Sequence, residues 1–258
     1  MSNDKQIQWS RVDSFHGNFT SPLNSFYRTC PICGSDNYRK IFEHNDFQFF
    51  TDSHTIPKRI DIIENICRSC YALFLNPCYS TYGFESLFCE AGRSYGSTEA
   101  RPQEQVKWIN DRSLLKSGGS LFDAGCYMGD FLSQFPMDIH KIGLDIDAPA
   151  ISIGKEKHKD RNIDFVLGDF ETFQYHGVSP DVITMFHVLE HLPRPVEALK
   201  KLRSISHDET YLIIEVPIIE NGLTNDINGF FSIHHITHFS RRSLTNCINK
   251  AGWVIGNF

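Results

Sequence analysis

An α/β fold, an open parallel sheet preceded by a small cysteine-bearing β module, is what this 258-residue sequence predicts. Three observations carry the prediction. The run Ser120-Leu121-Phe122-Asp123-Ala124-Gly125-Cys126-Tyr127-Met128-Gly129 is a short apolar strand that ends in an acid and passes into two spaced glycines, with apolar Phe131 and Leu132 starting a helix beyond them. That is the layout of a nucleotide-type cofactor loop at the carboxyl end of the first strand of an open sheet. From there to Pro217, short apolar runs alternate with helical patterns, as repeated βα units require. Ahead of all this stand two C-x-x-C pairs, Cys30/Cys33 and Cys67/Cys70.

The chain divides into four expected segments. Residues 1–25 form a polar arm in which Trp9, Phe15 and Phe19 suggest a docked segment, and 26–80 form the cysteine module. Residues 81–117 form a linker with helices that cap a cleft, Tyr82–Glu90 as a short helix and Gln103–Lys116 as a longer one with Val106, Ile109, Leu114 and Leu115 on its apolar side; 118–258 form the cofactor domain. Cys30-Pro31-Ile32-Cys33 and Cys67-Arg68-Ser69-Cys70 each set two thiolates on one tight turn. Two such turns can close a tetrahedral four-thiolate site, so one structural zinc is expected on Cys30, Cys33, Cys67 and Cys70. The alternative, a redox pair, lacks the strand-helix context of thioredoxin-type motifs. Strand-like Tyr38–His44 and Ile60–Asn65 occupy the gap, which predicts a β-hairpin with the knuckles at its base. Two complete knuckles leave His44 and His54 no ligand role, and Cys78, Cys89, Cys126 and Cys247 read as buried thiols.

Charge excludes one common role of a zinc ribbon. Between Phe26 and Phe74, six basic residues face six acids, and the whole chain carries a net charge of -6. A surface that tracks phosphates needs a basic excess, so no nucleic-acid partner is expected. No apolar run reaches the ~20 residues needed to span a bilayer, and the first residues lack a signal-peptide layout. A cytoplasmic enzyme with reduced cysteines is the expectation.

In the cofactor domain the G-x-G-x-x-G fingerprint is missing. Asp123-x-Gly125-x-x-x-Gly129 suits a cofactor with an amino-acid end: the glycines let backbone approach the ligand, and Asp123 can meet an ammonium. Lys141–Asp147 reads as a second strand, and Asp145, about 20 residues past the loop, is placed to bind ribose hydroxyls. Ala148–Lys157 reads as a helix, Ile163–Leu167 as the third strand and Asp181–Phe186 as the fourth. A helix over Pro195–Ser206 and a fifth strand over Tyr211–Pro217 follow, then a helix over Arg241–Ala251 with Ser240 as N-cap and Gly252 behind it. Trp253–Phe258 is a strand candidate.

These landmarks, with Gly168-Asp169-Phe170 closing the third strand and His187-Val188-Leu189-Glu190-His191-Leu192 after the fourth, resemble class I S-adenosylmethionine (SAM)-dependent methyltransferases. The resemblance implies a Rossmann-like sheet whose seventh, antiparallel strand has no residues here, so the sheet is expected to be shortened or completed by another segment. It also implies that Asp169 meets the adenine amine while an apolar neighbour covers the ring. The cofactor-binding set is then Asp123, Gly125, Cys126, Tyr127, Gly129, Asp145, Ile146, Asp169, Phe170 and His187.

With its amino-terminal cysteines the chain, from about Thr29 to Gly252, is similar to sugar methyltransferases of bacterial deoxysugar and surface-polysaccharide pathways. That resemblance implies a zinc module packed on the SAM domain and a sugar or nucleotide-sugar acceptor. The C-methylating branch has a Glu-His pair before Tyr-Phe-Ser. Here Ile233-His234-His235-Ile236-Thr237-His238-Phe239-Ser240 keeps the His as His235 but sets His234 in place of Glu and His238 in place of Tyr. O-methylation is therefore expected over C-methylation of a keto-sugar. A phosphorylated or amine metabolite is the other acceptor class, and a degenerate scaffold the non-enzymatic alternative. The candidate proton acceptors are His235, His187, His238 and His191, with Tyr82 or Tyr95 closing the site.

Overall fold

The computed structural model describes residues 25–49, 58–80, 101–170, 172–221 and 234–256. The arm with Trp9, Phe15 and Phe19, the helix expected over Tyr82–Glu90, Tyr95, His54 and Cys89 lie outside the described residues. The first elements are β1 (Ser25–Phe26), β2 (Tyr38–Phe49), β3 (Lys58–Cys67), β4 (Leu73–Leu75), β5 (Cys78–Tyr79) and α1 (Arg101–Asp111). Next come β6 (Ser120–Ala124), β7 (His140–Asp145), α2 (Ala148–Lys157), β8 (Ile163–Leu167), β9 (Val182–Phe186), α3 (Pro195–Ser204) and β10 (Tyr211–Glu215). The described part closes with β11 (Thr237–His238) and α4 (Arg241–Lys250). Two compact units result, one within Met1–Tyr95 and Ile218–Asn246, the other within Gly96–Pro217 and Cys247–Phe258.

The first unit is built on the expected hairpin. β2 and β3 pair antiparallel from Tyr38↔Cys67 to Phe49↔Lys58, so Cys67 ends the hairpin at its base. Both strands run further than the apolar pattern alone suggested, through register shifts between Lys40 and Phe42 and between His44 and Phe47 that let the ladder continue. β4 adds to β3, and β11 adds to β4 through Thr237↔Phe74 and His238↔Leu73, giving the order β11-β4-β3-β2. Phe74, Leu75, Tyr79, Ile236 and Phe239 are buried.

Two long-range polar contacts tie this unit together. His238 Nε2 lies 2.8 Å from Glu64 Oε1, both side chains buried. The Arg28 guanidinium donates to Ile236 O at 2.7 Å and stands 5.6 Å from the Phe74 ring centre. Burial of such groups is costly without partners, and the partners come from opposite ends of the sequence. The structure therefore differs from the expected continuous domain over 118–258, because residues 234–240 complete the sheet of the cysteine module.

The second unit holds one parallel sheet in the order β10-β9-β6-β7-β8, a Rossmann-like arrangement. The order reverses direction between β6 and β9, the topological switch point where open sheets bind ligands. Ile109, Leu121, Phe131, Leu132, Phe135, Ile139, Ile151 and Val182 form its core.

Several expected boundaries move for identifiable reasons. Asp147 leaves the second strand to cap α2, its Oδ1 accepting from Ala150 N at 2.8 Å. Asp181 stays outside β9 and accepts from Ser120 N at 2.7 Å. α1 starts earlier and ends at Asp111, since Ser113 takes a left-handed φ of 50°. The apolar helix expected after the glycine loop shrinks to a single 3₁₀ turn, Leu132–Gln134. Pro136 follows Phe135, and the residue before a proline is pushed out of the helical region; Phe135 has ψ 152°. The strand expected at Trp253–Phe258 is absent over the described residues 253–256. Trp253 instead donates Nε1–H to Leu199 O at 3.0 Å and faces Arg203 at 5.6 Å, which ties the chain to α3.

Candidate cofactor and acceptor site

Asp123 sits one residue before the end of β6, 3% exposed. Burial pushes its carboxyl up to about 7, against the Thr184 hydroxyl that donates to Oδ1 at 2.7 Å, with nearby Asp145 adding to the rise. The loop then turns at Gly125, φ +95°, where a Cβ would meet Val188 Cγ2 at 2.2 Å. Gly129 has φ +80° and leaves room for Phe165 Cζ, which a Cβ would meet at 2.6 Å. Both positions need glycine for conformation and for space.

Between them Tyr127 holds a left-handed φ of 49°, a conformation disfavoured for a residue with a side chain. Its backbone N–H donates to Asp145 Oδ2 at 2.7 Å, while Asp147 N donates to Asp145 Oδ1 at 2.9 Å. Asp145 at the end of β7 therefore braces the loop from below, and burial raises its carboxyl above the usual range. Ile146 beside it is 52% exposed. Gly168 N returns to Asp145 O at 2.9 Å. Asp169 next to it is oriented by Thr172, whose N and Oγ1 donate to Oδ1 at 2.7 and 2.9 Å. Phe170 packs edge-on against Phe173 at 6.2 Å. Thus Asp123, Asp145 and Asp169 mark three adjacent strand ends. Cys126 turns inward instead: it is 5% exposed, burial raises its thiol, and a Cβ on Gly143 would meet its Sγ at 2.6 Å. Its thiol is packed against Gly143 and not at the loop surface.

Across the switch point, β9 and β10 carry a second polar group. His187 follows β9 with a left-handed φ of 54° and donates its backbone N–H to Glu215 O at 2.8 Å. Its Nε2 lies 2.9 Å from Glu215 Oε1 and its Nδ1 3.4 Å from Glu190 Oε1. Carboxylates only accept, so Nε2 donates to Glu215, and Nδ1 faces a second carboxylate. Burial alone would lower the imidazole pKa, but Glu190 and Glu215 outweigh it and raise it to about 9. The hydrogen bond from His187 holds Glu215 at about 2 despite partial burial, with Gln105 Nε2 adding a bond to Oε2 at 2.9 Å. Glu190 and His191 lie in the 3₁₀ turn Leu189–His191 that follows. Thr184, Glu215 and Gln105 were not singled out from sequence; a polar residue inside an apolar strand and an acid at the end of the fifth strand were the available signals.

His235 and His238 belong to the first unit, His238 buried and His235 half-buried, with ring centres 6.4 Å apart. In the same unit the four knuckle cysteines gather so that all their sulfurs lie within 4.8 Å of one another. Cys30 Sγ is 3.5 Å from Cys70 Sγ, and Cys33 Sγ is 3.4 Å from Cys67 Sγ. None of the seven described cysteines is bridged. The Cys70 thiol hydrogen-bonds Cys30 and brings it down to about 5, against burial. Burial and the same contacts push Cys33 and Cys70 the other way, so Cys30 is the member held closest to the thiolate form, the form that binds metal.

Solved structures are similar to part of this chain. The cyclase SpnF is 17% identical, with 61% of this chain and 59% of that one covered at a TM-score of 0.50. A SAM-dependent methyltransferase of Mesorhizobium loti is 12% identical over 60% and 84%, with a TM-score of 0.49. A methyltransferase of Haloferax volcanii, solved with its Trm112 activator, is 18% identical over 60% and 73%, with a TM-score of 0.48. No curated protein sequence matches the chain. Residues 98–255, more than half of the chain, match the family described as a methyltransferase domain, and with this sheet behind the match the protein belongs to that family and is a SAM-dependent methyltransferase.

Proposed function

We propose that the enzyme holds SAM across the carboxyl ends of β6, β7 and β8 and transfers its methyl group to a hydroxyl of a small polar acceptor, a sugar carried on a nucleotide or in a glycan. The observation that carries the SAM site is the row Asp123, Asp145, Asp169 at three adjacent strand ends, beside two glycines that only glycine can fill. Asp123 then faces the ammonium, Asp145 the ribose and Asp169 the adenine amine, with Ile146 and Phe170 offering apolar surface to the ring. The cost of the left-handed Tyr127 fits a loop shaped for a ligand.

The reaction is an in-line displacement: the S–CH₃ bond breaks as the O–CH₃ bond forms, and the hydroxyl proton passes to a base. Alignment of acceptor and methyl supplies most of what the protein must contribute. With its pKa raised to about 9, His187 is protonated at neutral pH, so it orients rather than accepts. Of the remaining candidates, His238 is tied to Glu64, which leaves His191 and His235. Replacing each by Gln separates them: the base variant loses about 10²–10⁴-fold in turnover and keeps its SAM affinity.

For the first unit we propose one structural zinc on Cys30, Cys33, Cys67 and Cys70. A tetrahedral four-thiolate zinc with bonds of about 2.3 Å spaces its sulfurs about 3.8 Å apart, and the observed spacings bracket that value. The zinc fixes the two knuckles to the hairpin base.

Calorimetry with SAM tests the core of the proposal. The wild type should bind, and Asp145→Ala should bind more weakly by at least the roughly 1.5–3 kcal/mol of a charge-assisted bond, since the loop loses its brace as well. A wild-type protein that gives no binding heat and no thermal shift with SAM would refute it.

A further inference from the structure

We propose that Glu215 is the acceptor-binding residue of this methyltransferase and that the acceptor meets it with a hydroxyl group; the inference rests on the methyl-transfer reading above. The three acids of the SAM site use β6, β7 and β8. That leaves the carboxyl ends of β9 and β10, on the other side of the switch point, and Glu215 is the last residue of β10.

Glu215 is held without being hidden. His187 takes Oε1 and Gln105 takes Oε2, each at 2.9 Å, yet the side chain is 42% exposed. A carboxylate offers about four lone-pair sites, so about two remain for a ligand. The clamp itself is built at a cost, because His187 keeps a left-handed φ of 54° to bring its ring and its backbone N–H onto Glu215. The backbone bond continues the β9–β10 ladder, and the side-chain bond from the same residue fixes the exposed carboxylate, as a ligand that must be oriented requires.

The chemistry of the cluster selects the acceptor class. Its free positions are acceptor sites, so the partner must donate. His187 stands between two carboxylates, 2.9 Å from Glu215 and 3.4 Å from Glu190, and Arg101 acts on Glu215 from further off. With the His187 ring 2.9 Å away, the Glu215 charge is partly matched inside the site, which favours a neutral donor over an ammonium. A phosphate has no donor for the carboxylate and is repelled by it. A neutral hydroxyl satisfies the site, and vicinal hydroxyls satisfy it twice.

The test uses the full chain with SAM and three probe sets: UDP- and dTDP-hexoses with methyl hexosides, ethylamine, and ethyl phosphate. S-adenosylhomocysteine is the readout. Turnover is expected with hexoses alone, and Glu215→Gln should raise the hexose KM about tenfold or more with SAM affinity within about twofold of wild type. Gln105→Ala, which frees Oε2 without removing it, should raise KM by a smaller factor and leave kcat in place. The nuclear magnetic resonance titration of the His187 ring should shift from about 9 toward neutral pH in Glu215→Gln. A purely structural role would move melting temperature and SAM affinity together instead. Wild-type KM in Glu215→Gln, turnover confined to the amine or the phosphate, or no hexose turned over by SAM-bound enzyme would overturn the proposal. A wild type that does not bind SAM would remove the methyl-transfer reading itself, and this inference with it.

Discussion

In the proposed SAM site, Asp123 would serve binding at the expense of folding. Its folded pKa of about 7 lies above the ordinary carboxylate range, so ionising it in the apoprotein costs stability. The sign follows: the cost is absent near pH 4, sets in as pH rises toward 7 and is complete above it. Three pH units at about 1.4 kcal/mol each make it roughly 4 kcal/mol. Asp123→Asn keeps an oxygen for the Thr184 hydroxyl, so it should raise the apoprotein melting temperature at pH 8 and change little at pH 4. The same variant should lose SAM affinity at pH 8. Wild-type SAM affinity should fall as pH drops below about 7, because the ammonium selects the carboxylate. Melting curves at both pH values and calorimetry from pH 5.5 to 8.5 check this, and a flat SAM affinity across that range would contradict it. Asp123, Asp145 and Asp169 were legible in the sequence because strand-end acids near glycines form a local pattern. Thr184 and Glu215 were not, because their partners lie 61 and 28 residues away and only the sheet brings them together.

Among the elements, the two hairpin strands, the five strands of the parallel sheet and α2 were legible from apolar runs and punctuation, the two- and three-residue strands β1, β4, β5 and β11 were not, and most of the shifted boundaries share one cause. Where a side chain found a partner outside its own segment, the local pattern gave way: Asp147 and Asp181 became caps, and Trp253 went to α3 instead of a strand. The helix after the glycine loop failed differently, through Pro136. The loop itself has almost no tolerance. Gly125→Ala puts a methyl 2.2 Å from Val188 Cγ2 at a φ of +95°, so it should destabilise by about 1–3 kcal/mol and abolish SAM binding. Gly125→Ala with Val188→Ala should recover part of the stability but not the binding, since the backbone conformation is still wrong for alanine. Thermal shift with and without SAM reads both effects, and a single variant that melts and binds like wild type would show the loop to be looser than its geometry. In the other unit, His238→Ala takes the hydrogen bond from a buried Glu64 and should cost about 3–5 kcal/mol, while Glu64→Gln, which keeps a polar partner, should cost less. Urea unfolding of the two variants decides the order.

The molecule as a whole departs most from its sequence pattern in being discontinuous: the cysteine unit recruits residues 218–246 from beyond the methyltransferase strands. No periodicity could reveal that, since β11 is two residues long and its contacts with Arg28 and Glu64 reach more than 170 positions back along the chain. The knuckles were legible because their spacing is local; what they stabilise was not. This connectivity sets the consequence of metal loss. Cys67 ends β3, β4 pairs with β3 through Asn65↔Phe74, and β11 pairs with β4 through Thr237↔Phe74. Metal binding and folding are linked in small sites, so releasing the zinc should free the base of β3 and pass along this ladder. Protein purified without chelators should carry one zinc per chain. After chelation, the backbone amides that hold the ladder, with Leu75 N to Ile236 O as the marker, should lose hydrogen-exchange protection together. The amides of β6, β7 and β9 belong to a unit with its own core and should stay protected, and SAM affinity should change by less than about twofold, well under the 1.4 kcal/mol of a tenfold change. Protection at Leu75 that survives full metal removal would show that Arg28, Glu64 and His238 hold β11 unaided.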